Sequence, residues 1–208
     1  MNTAAFILDS DGNKLYSGSG LKMLGFHFGQ KPTVTKHIEI LRRHFRQRTW
    51  VLNHLRHAGF NSEELAKVYR SMVRPVADYM SVIYHSTLSD RQDEEVERMQ
   101  SQALKMIYGR DMKYSEMWKR AGVTTLWDRR IEACDSFASK CLNTRFSEWF
   151  PLLDSGRCST RSSSSAKTYL EKFARCDRLK NSPLYYMPRR LNGKPGKRYG
   201  DRNREYRD

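Results

Sequence analysis

Apolar residues recur at helical spacing through the middle of the chain. Between Asn61 and Gly109 two such patterns follow one another. Leu65, Val68, Met72, Val76 and Ile83 stand three, four or seven apart, and Val96, Met99, Ala103 and Ile107 repeat at three or four. Each set falls on one helical face. Start signals precede both. Asn61 can cap the first helix with Glu64 returning a bond to the cap, and Ser89 with Gln92 repeats the arrangement for the second. Gly109 suits the left-handed position that ends a helix. Pro75 lacks an N–H, so a kink or a break with a restart near Arg74 is expected in the first helix. Tyr69, Tyr79 and Tyr84 are expected to pack in part, with their hydroxyls on water or a backbone group. Two such helices cannot bury their faces alone, so the flanking segments must supply partners.

Upstream, Ile38, Leu41, Phe45, Leu52 and Leu55 mark one side of a helix running to about Ala58, with Thr33 or Thr35 as its cap and Gly59 at its end. At about 100° per residue, Lys36, Arg43, Arg46, Trp50, His54 and His57 fall on the opposite side. That side is basic with an aromatic ring in its middle. It reads either as a solvated face with Trp50 covered by another element, or as a surface that follows phosphates. His37 and His44 lie two turns apart, too far for joint metal ligation.

The N-terminal pattern is β. Ala4–Leu8 and Lys14–Tyr16 flank a turn at Asp9–Asn13, and Leu21–Phe28 is a third strand. Carboxylates such as Asp9 and Asp11 inside a turn bond their own backbone, so no metal site is read there. After Gly109, Ser115–Ala121 is a short helix closed by Gly122. Thr125 and Asp128 open another to about Asn143, with Ile131, Cys134, Phe137, Ala138 and Cys141 on its apolar side. Residues 155–166 form a Ser-rich loop, and Lys167–Leu179 is a last helix broken by Asn181–Tyr186. From Met187 to Asp208 stand eight Arg or Lys and three Asp or Glu, a tail expected to be disordered and able to touch nucleic acid.

These elements give a mainly α fold: a bundle of four to six helices with a small N-terminal antiparallel β hairpin. The divisions are 1–30 for the hairpin, 31–154 for the helical domain, 155–186 for the Ser-rich loop and short helix, and 187–208 for the basic tail. Charge narrows the partner. The 208 residues hold 38 Lys+Arg against 23 Asp+Glu, a net +15, which favours a polyanion, nucleic acid before anionic membrane. No apolar run approaches the roughly 18 residues of a membrane span, and no secretory signal pattern opens the chain. The four cysteines form no C-x-x-C pair, so they read as free thiols of an intracellular, nuclear or cytoplasmic protein.

Lys22-Met23-Leu24-Gly25-Phe26 followed by the His37-Ile38 helix resembles the end of the palm in reverse transcriptases of non-LTR retrotransposons, the jockey-like and related lineages. Val68–Tyr79 and Val96–Gly109 continue the resemblance, which extends over about Leu21–Asn143. Leu126-Trp127-Asp128-Arg129-Arg130 is also similar to the family. The resemblance implies that the K-x-L-G strand lies beside the primer grip and that the helices after it form the thumb. It carries Lys22 and Gly25 into the binding surface. It also draws attention to Arg129 and Arg130, where positive charge in a helix's first turn opposes the dipole and suggests a ligand or partner.

Two-metal polymerase chemistry needs clustered carboxylates, which the family places on an aromatic-x-Asp-Asp turn upstream of K-x-L-G. No Asp-Asp pair occurs in this sequence. The expectation is therefore a segment that is not catalytic by itself and has no cofactor of its own, magnesium belonging to the palm. It would grip an RNA or DNA duplex by its backbone, independently of sequence, through Lys22, Gly25, Lys36, Arg43, Arg46, Trp50, His54, Arg129 and Arg130, with the palm and fingers of the same polymerase as a further partner. A helical module binding another protein through Pro75–Tyr84, or a remnant without function, is the alternative.

Overall fold

The computed structural model describes residues 6–8, 14–16, 20–29, 34–152 and 169–193. Strands β1 (Phe6–Leu8) and β2 (Lys14–Tyr16) pair antiparallel, Phe6 opposite Tyr16. The expected third strand is itself a hairpin, β3 (Gly20–Met23) and β4 (Phe26–Gly29), with Met23 opposite Phe26. Leu24 and Gly25 both take positive φ, 47° and 79°, the two-residue turn that matches strand twist. The turn is tethered from outside, where the Tyr79 hydroxyl donates to the Leu24 carbonyl. The expected turn at Asp9–Asn13 lies outside the described residues.

Helix α1 (Thr35–His57) buries Ile38, Leu41, Phe45 and Leu52, the stripe read from the sequence. Its cap differs. Val34 stands at the N-cap without a side-chain bond, and the Thr35 hydroxyl accepts from Gln92 Nε2 instead, at 3.2 Å. Helix α2 (Ser62–Val68) has its capping box, with Asn61 accepting from Glu63 and Glu64 N–H and Glu64 accepting from Asn61 N–H at 2.9 Å. It runs into a π-helical turn, Tyr69–Val73, and then α3 (Arg74–Asp78), with Pro75 in its first turn. The break near Arg74 is thus present as a change of register. The wide turn rotates the chain, so Tyr69, Val73 and Ala77 form the buried line and Met72 is exposed. Tyr69 and Tyr84 are fully enclosed, more deeply than expected. Their hydroxyls donate to Gln100 Oε1 at 2.8 Å and to the Ala77 carbonyl.

A short α4 (Ser81–Tyr84) leads to α5 (Asp90–Tyr108), capped by Ser89 and Gln92 and closed by Gly109. Val96, Met99, Ala103 and Ile107 are buried as expected. Helices α6 (Tyr114–Arg120) and α7 (Leu126–Leu142) follow. The main core joins α1 to α6 with the start of α7 and Phe26 of the hairpin. A second core forms where Cys134, Ala138 and Cys141 of α7 meet Phe150, Tyr186 and Met187. Both α7 cysteines are free and buried. The buried row of α7 is Leu126, Arg130, Cys134, Ala138 and Cys141, and Phe137 lies off it, exposed.

The C-terminal region departs most from expectation. Residues 169–176 are not helical; α8 (Asp177–Lys180) is one turn, and α9 (Pro183–Leu191) occupies the segment read as a break and the start of the tail. Ser182 is extended and Pro183 opens the helix, where proline's fixed φ and missing N–H are favourable. Burial of Tyr186, Met187 and Pro188 then holds α9 on α7. The Ser-rich loop and the basic residues beyond 193 lie outside the described residues. Six of the described helices reach seven residues or more, and the whole is mainly α with its antiparallel β at the N-terminus.

A candidate nucleic-acid interface on the first long helix

The outer side of α1 is a strip of charge beside the α1–α5 junction. Lys36, Arg42, Arg43 and Arg46 are all exposed. Among the described residues none of them makes a side-chain hydrogen bond or ion pair. Two other exposed cations of the same helix are tied to carbonyls of neighbouring elements. Arg48 donates to the Met72 carbonyl and Arg56 to the Met106 carbonyl, each at 2.7 Å. The helix therefore divides its arginines between holding neighbours and standing without a partner among the described residues. Glu39 is the one carboxylate within α1, so the strip is not neutralised from its own element.

Trp50 is 61 % exposed, so the reading in which another element covers it does not hold among the described residues. Its ring lies against His54, centroids 3.6 Å apart, and His54 Nδ1 sits 3.0 Å from the Trp50 carbonyl. Only a protonated Nδ1 can donate there, which leaves Nε2 for solvent or a ligand.

The hairpin adds to this field. Lys22 stands opposite His27 across β3 and β4. Burial, then the positive charges of Lys22, Lys36, Arg43 and His44, lower the His27 pKa. Cations from the hairpin and from the first half of α1 therefore act on one point. His37, in the first turn of α1, is enclosed at 4 % exposure and stacks on Phe26 at 4.1 Å. Neither of its ring nitrogens has a hydrogen-bond partner among the described residues, and burial pushes its pKa down to about 4. Gly25 serves the turn itself, because its φ of 79° is strained for any side chain.

The arginine pair at the start of α7 does not join the surface. Arg130 is fully enclosed and donates to Asp93, with His85 Nδ1 3.4 Å from its Nε. A ligand contact by Arg130 is thereby corrected to an internal one: its charge is balanced by a carboxylate from α5. Arg129 is exposed but paired, to Asp78 at 3.5 Å and to Glu132 at 3.4 Å. The dipole of α7 is answered from within by Glu97. Its carboxylate is buried, accepts from Tyr114 Oη and takes the N–H groups of Leu126 and Trp127 at 3.3 and 3.1 Å.

A groove of about 420 Å³ runs between α1 and α5. Phe45, Met99 and Met106 give it an apolar lining, and Arg42, Arg46 and Arg98 bring three cations to it. Thr49, Trp50, Asn53, Gln102 and the carboxylate of Glu95 complete the walls. Arg98, like Arg42 and Arg46, has no side-chain partner among the described residues. Sequence periodicity passes over Arg42, Asn53, Arg98 and Gln102. The first two flank the apolar stripe of α1, and only packing against α5 turns them toward a shared space. Compared with family models, with curated proteins and with solved structures, the chain finds no match. Among the described residues no helix is long and apolar enough to cross a membrane.

Proposed function

We propose that this chain binds a nucleic-acid duplex by its sugar-phosphate backbone, without regard to sequence, as the thumb segment of a non-LTR-type RNA-directed DNA polymerase. In this role it performs no polymerase chemistry of its own, and the palm and fingers supply the metal-binding carboxylates. The observation that carries the reading is the outward strip of exposed cations, Lys36, Arg43 and Arg46, unpaired among the described residues and running beside the exposed ring of Trp50. Successive cations on one face of a 23-residue helix can follow a line of phosphates, and release of the condensed counterions drives such binding. Lys22 extends the strip onto the hairpin, while Gly25 shapes the turn beside it. The sequence resemblance over Leu21–Asn143 supports the same assignment.

A rival role as a protein-binding module through Pro75–Tyr84 is less well supported, because Ala77, Ser81 and Tyr84 of that stretch are buried within the chain itself. Filter binding to an RNA–DNA hybrid separates the two. Three phosphate contacts predict a loss of about fortyfold in affinity between about 50 and 200 mM salt, with scrambled hybrids bound alike. Affinity indifferent to salt, or dependent on the hybrid's sequence, overturns the proposal.

A further inference from the structure

We infer that the groove between α1 and α5 seats a single unpaired nucleotide, so that the preferred ligand is a duplex carrying an extruded or unpaired base. This rests on the backbone-binding reading above. A groove of about 420 Å³ lies within the range of roughly 300–1,000 Å³ typical of sites for small organic groups and is far too small for a helix of nucleic acid. Its parts match the three parts of a nucleotide. Phe45, Met99 and Met106 offer an apolar bed for a base, and Trp50 offers a large ring with much of its surface open. Asn53 and Gln102 carry amides that donate and accept, and so can meet the edge of any base. Arg42, Arg46 and Arg98 bring three charges for the phosphate. The carboxylate of Glu95 also lines the groove, but it is engaged with Arg91 at 3.5 Å, leaving the cations in excess.

Charge complementarity favours this occupant over a protein segment. Three guanidiniums without side-chain partners among the described residues would need matched acids on a peptide, whereas every nucleotide brings its phosphate. The groove is also contiguous with the outer strip, since Arg46 and Trp50 belong to both. A strand held by Lys36 and Arg43 thus runs past its mouth. In a fully paired duplex the bases are stacked inward and the groove receives nothing. An unpaired base can swing out, and its stacking on an aromatic ring is tolerant of sequence.

The test uses the full chain and two RNA–DNA hybrids of equal length and charge, one fully paired and one with a single base facing an abasic position. Wild type should bind the second about tenfold more tightly, toward the low end for stacking one base. Gln102→Trp fills the groove from an exposed position on α5, and Asn53→Leu removes an amide from the opposite wall. Either should bring the ratio of the two affinities toward one. Equal wild-type affinity for the two hybrids overturns the nucleotide seat and leaves the backbone grip standing. An unaltered ratio in a folded Gln102→Trp variant overturns it as well. Failure to bind either hybrid removes both proposals. Displacement of both hybrids by an acidic amphipathic helical peptide, with no difference in affinity between the two, would assign the groove to a protein.

Discussion

A guanidinium enclosed beside a carboxylate has given up its hydration, so removing it strands the partner as an unpaired charge away from water. That is the situation of Arg130, fully buried against Asp93, whereas its neighbour Arg129 is half in solvent with its acids. Arg130→Ala is expected to lower stability by about 3 kcal/mol, and Arg129→Ala by less than about 1 kcal/mol. Urea melts of the two variants read the contrast, and similar losses would contradict the assignment. His37 sets a second residue-scale expectation. Its pKa is near 6.5 unfolded and about 4 in the fold, so between those values the unfolded chain holds more protons. The stability it contributes is complete above pH 6.5 and drains away as pH falls toward 4. In His37→Phe, which retains a ring against Phe26, that part of the acid slope should vanish. A slope identical to wild type would place the acid sensitivity elsewhere, His85 being the next group whose pKa burial pushes down, to about 3.

At the scale of elements, the turn of the second hairpin depends on Gly25. An alanine there meets no clash, since the nearest atoms to its Cβ are Tyr79 Cε1 and Oη at 3.6 Å. The cost comes from φ alone, about 1–2 kcal/mol. Gly25→Ala should therefore speed amide exchange across Lys22–His27 while leaving the protection of α1 unchanged; equal loosening of both would mean that the hairpin supports the helix. The elements also show what the amino-acid pattern could and could not convey. The helices with capping boxes and regular apolar spacing, α2 and α5, begin where Asn61 and Ser89 announce them, because those signals are local. The π-helical turn was not legible: one wide turn moves burial from Met72 to Val73 and leaves every spacing plausible. Helix α9 was hidden for a different reason. Pro183 and Pro188 signal a break when read alone, and only burial of Tyr186 and Met187 against Cys134 and Ala138 makes the helix worthwhile. Of the proposed binding residues, those on the outer side of α1 follow from the 100° rule. Arg42, Arg98 and Gln102 required the packing of two helices to become neighbours, and the inward turn of Arg130 required Asp93 from a helix some 37 positions away.

For the molecule as a whole, the distribution of charge matters more than its sum of +15. Cations such as Arg48, Arg56, Arg129 and Arg130 are taken up by carbonyls and carboxylates within the fold. Those left to solvent on α1 are gathered on one side, with the hairpin's Lys22 adding to their field at His27. A surface of this kind weakens with salt in proportion to the phosphates it contacts. The most direct test is the slope of log affinity against log salt for duplex binding, measured for wild type and for a Lys36→Gln, Arg43→Gln, Arg46→Gln variant. The variant's slope should be shallower by about 2.7, at about 0.9 for each contact removed, with folding intact because all three side chains are exposed. A slope that does not change would contradict this and take α1 out of any nucleic-acid surface.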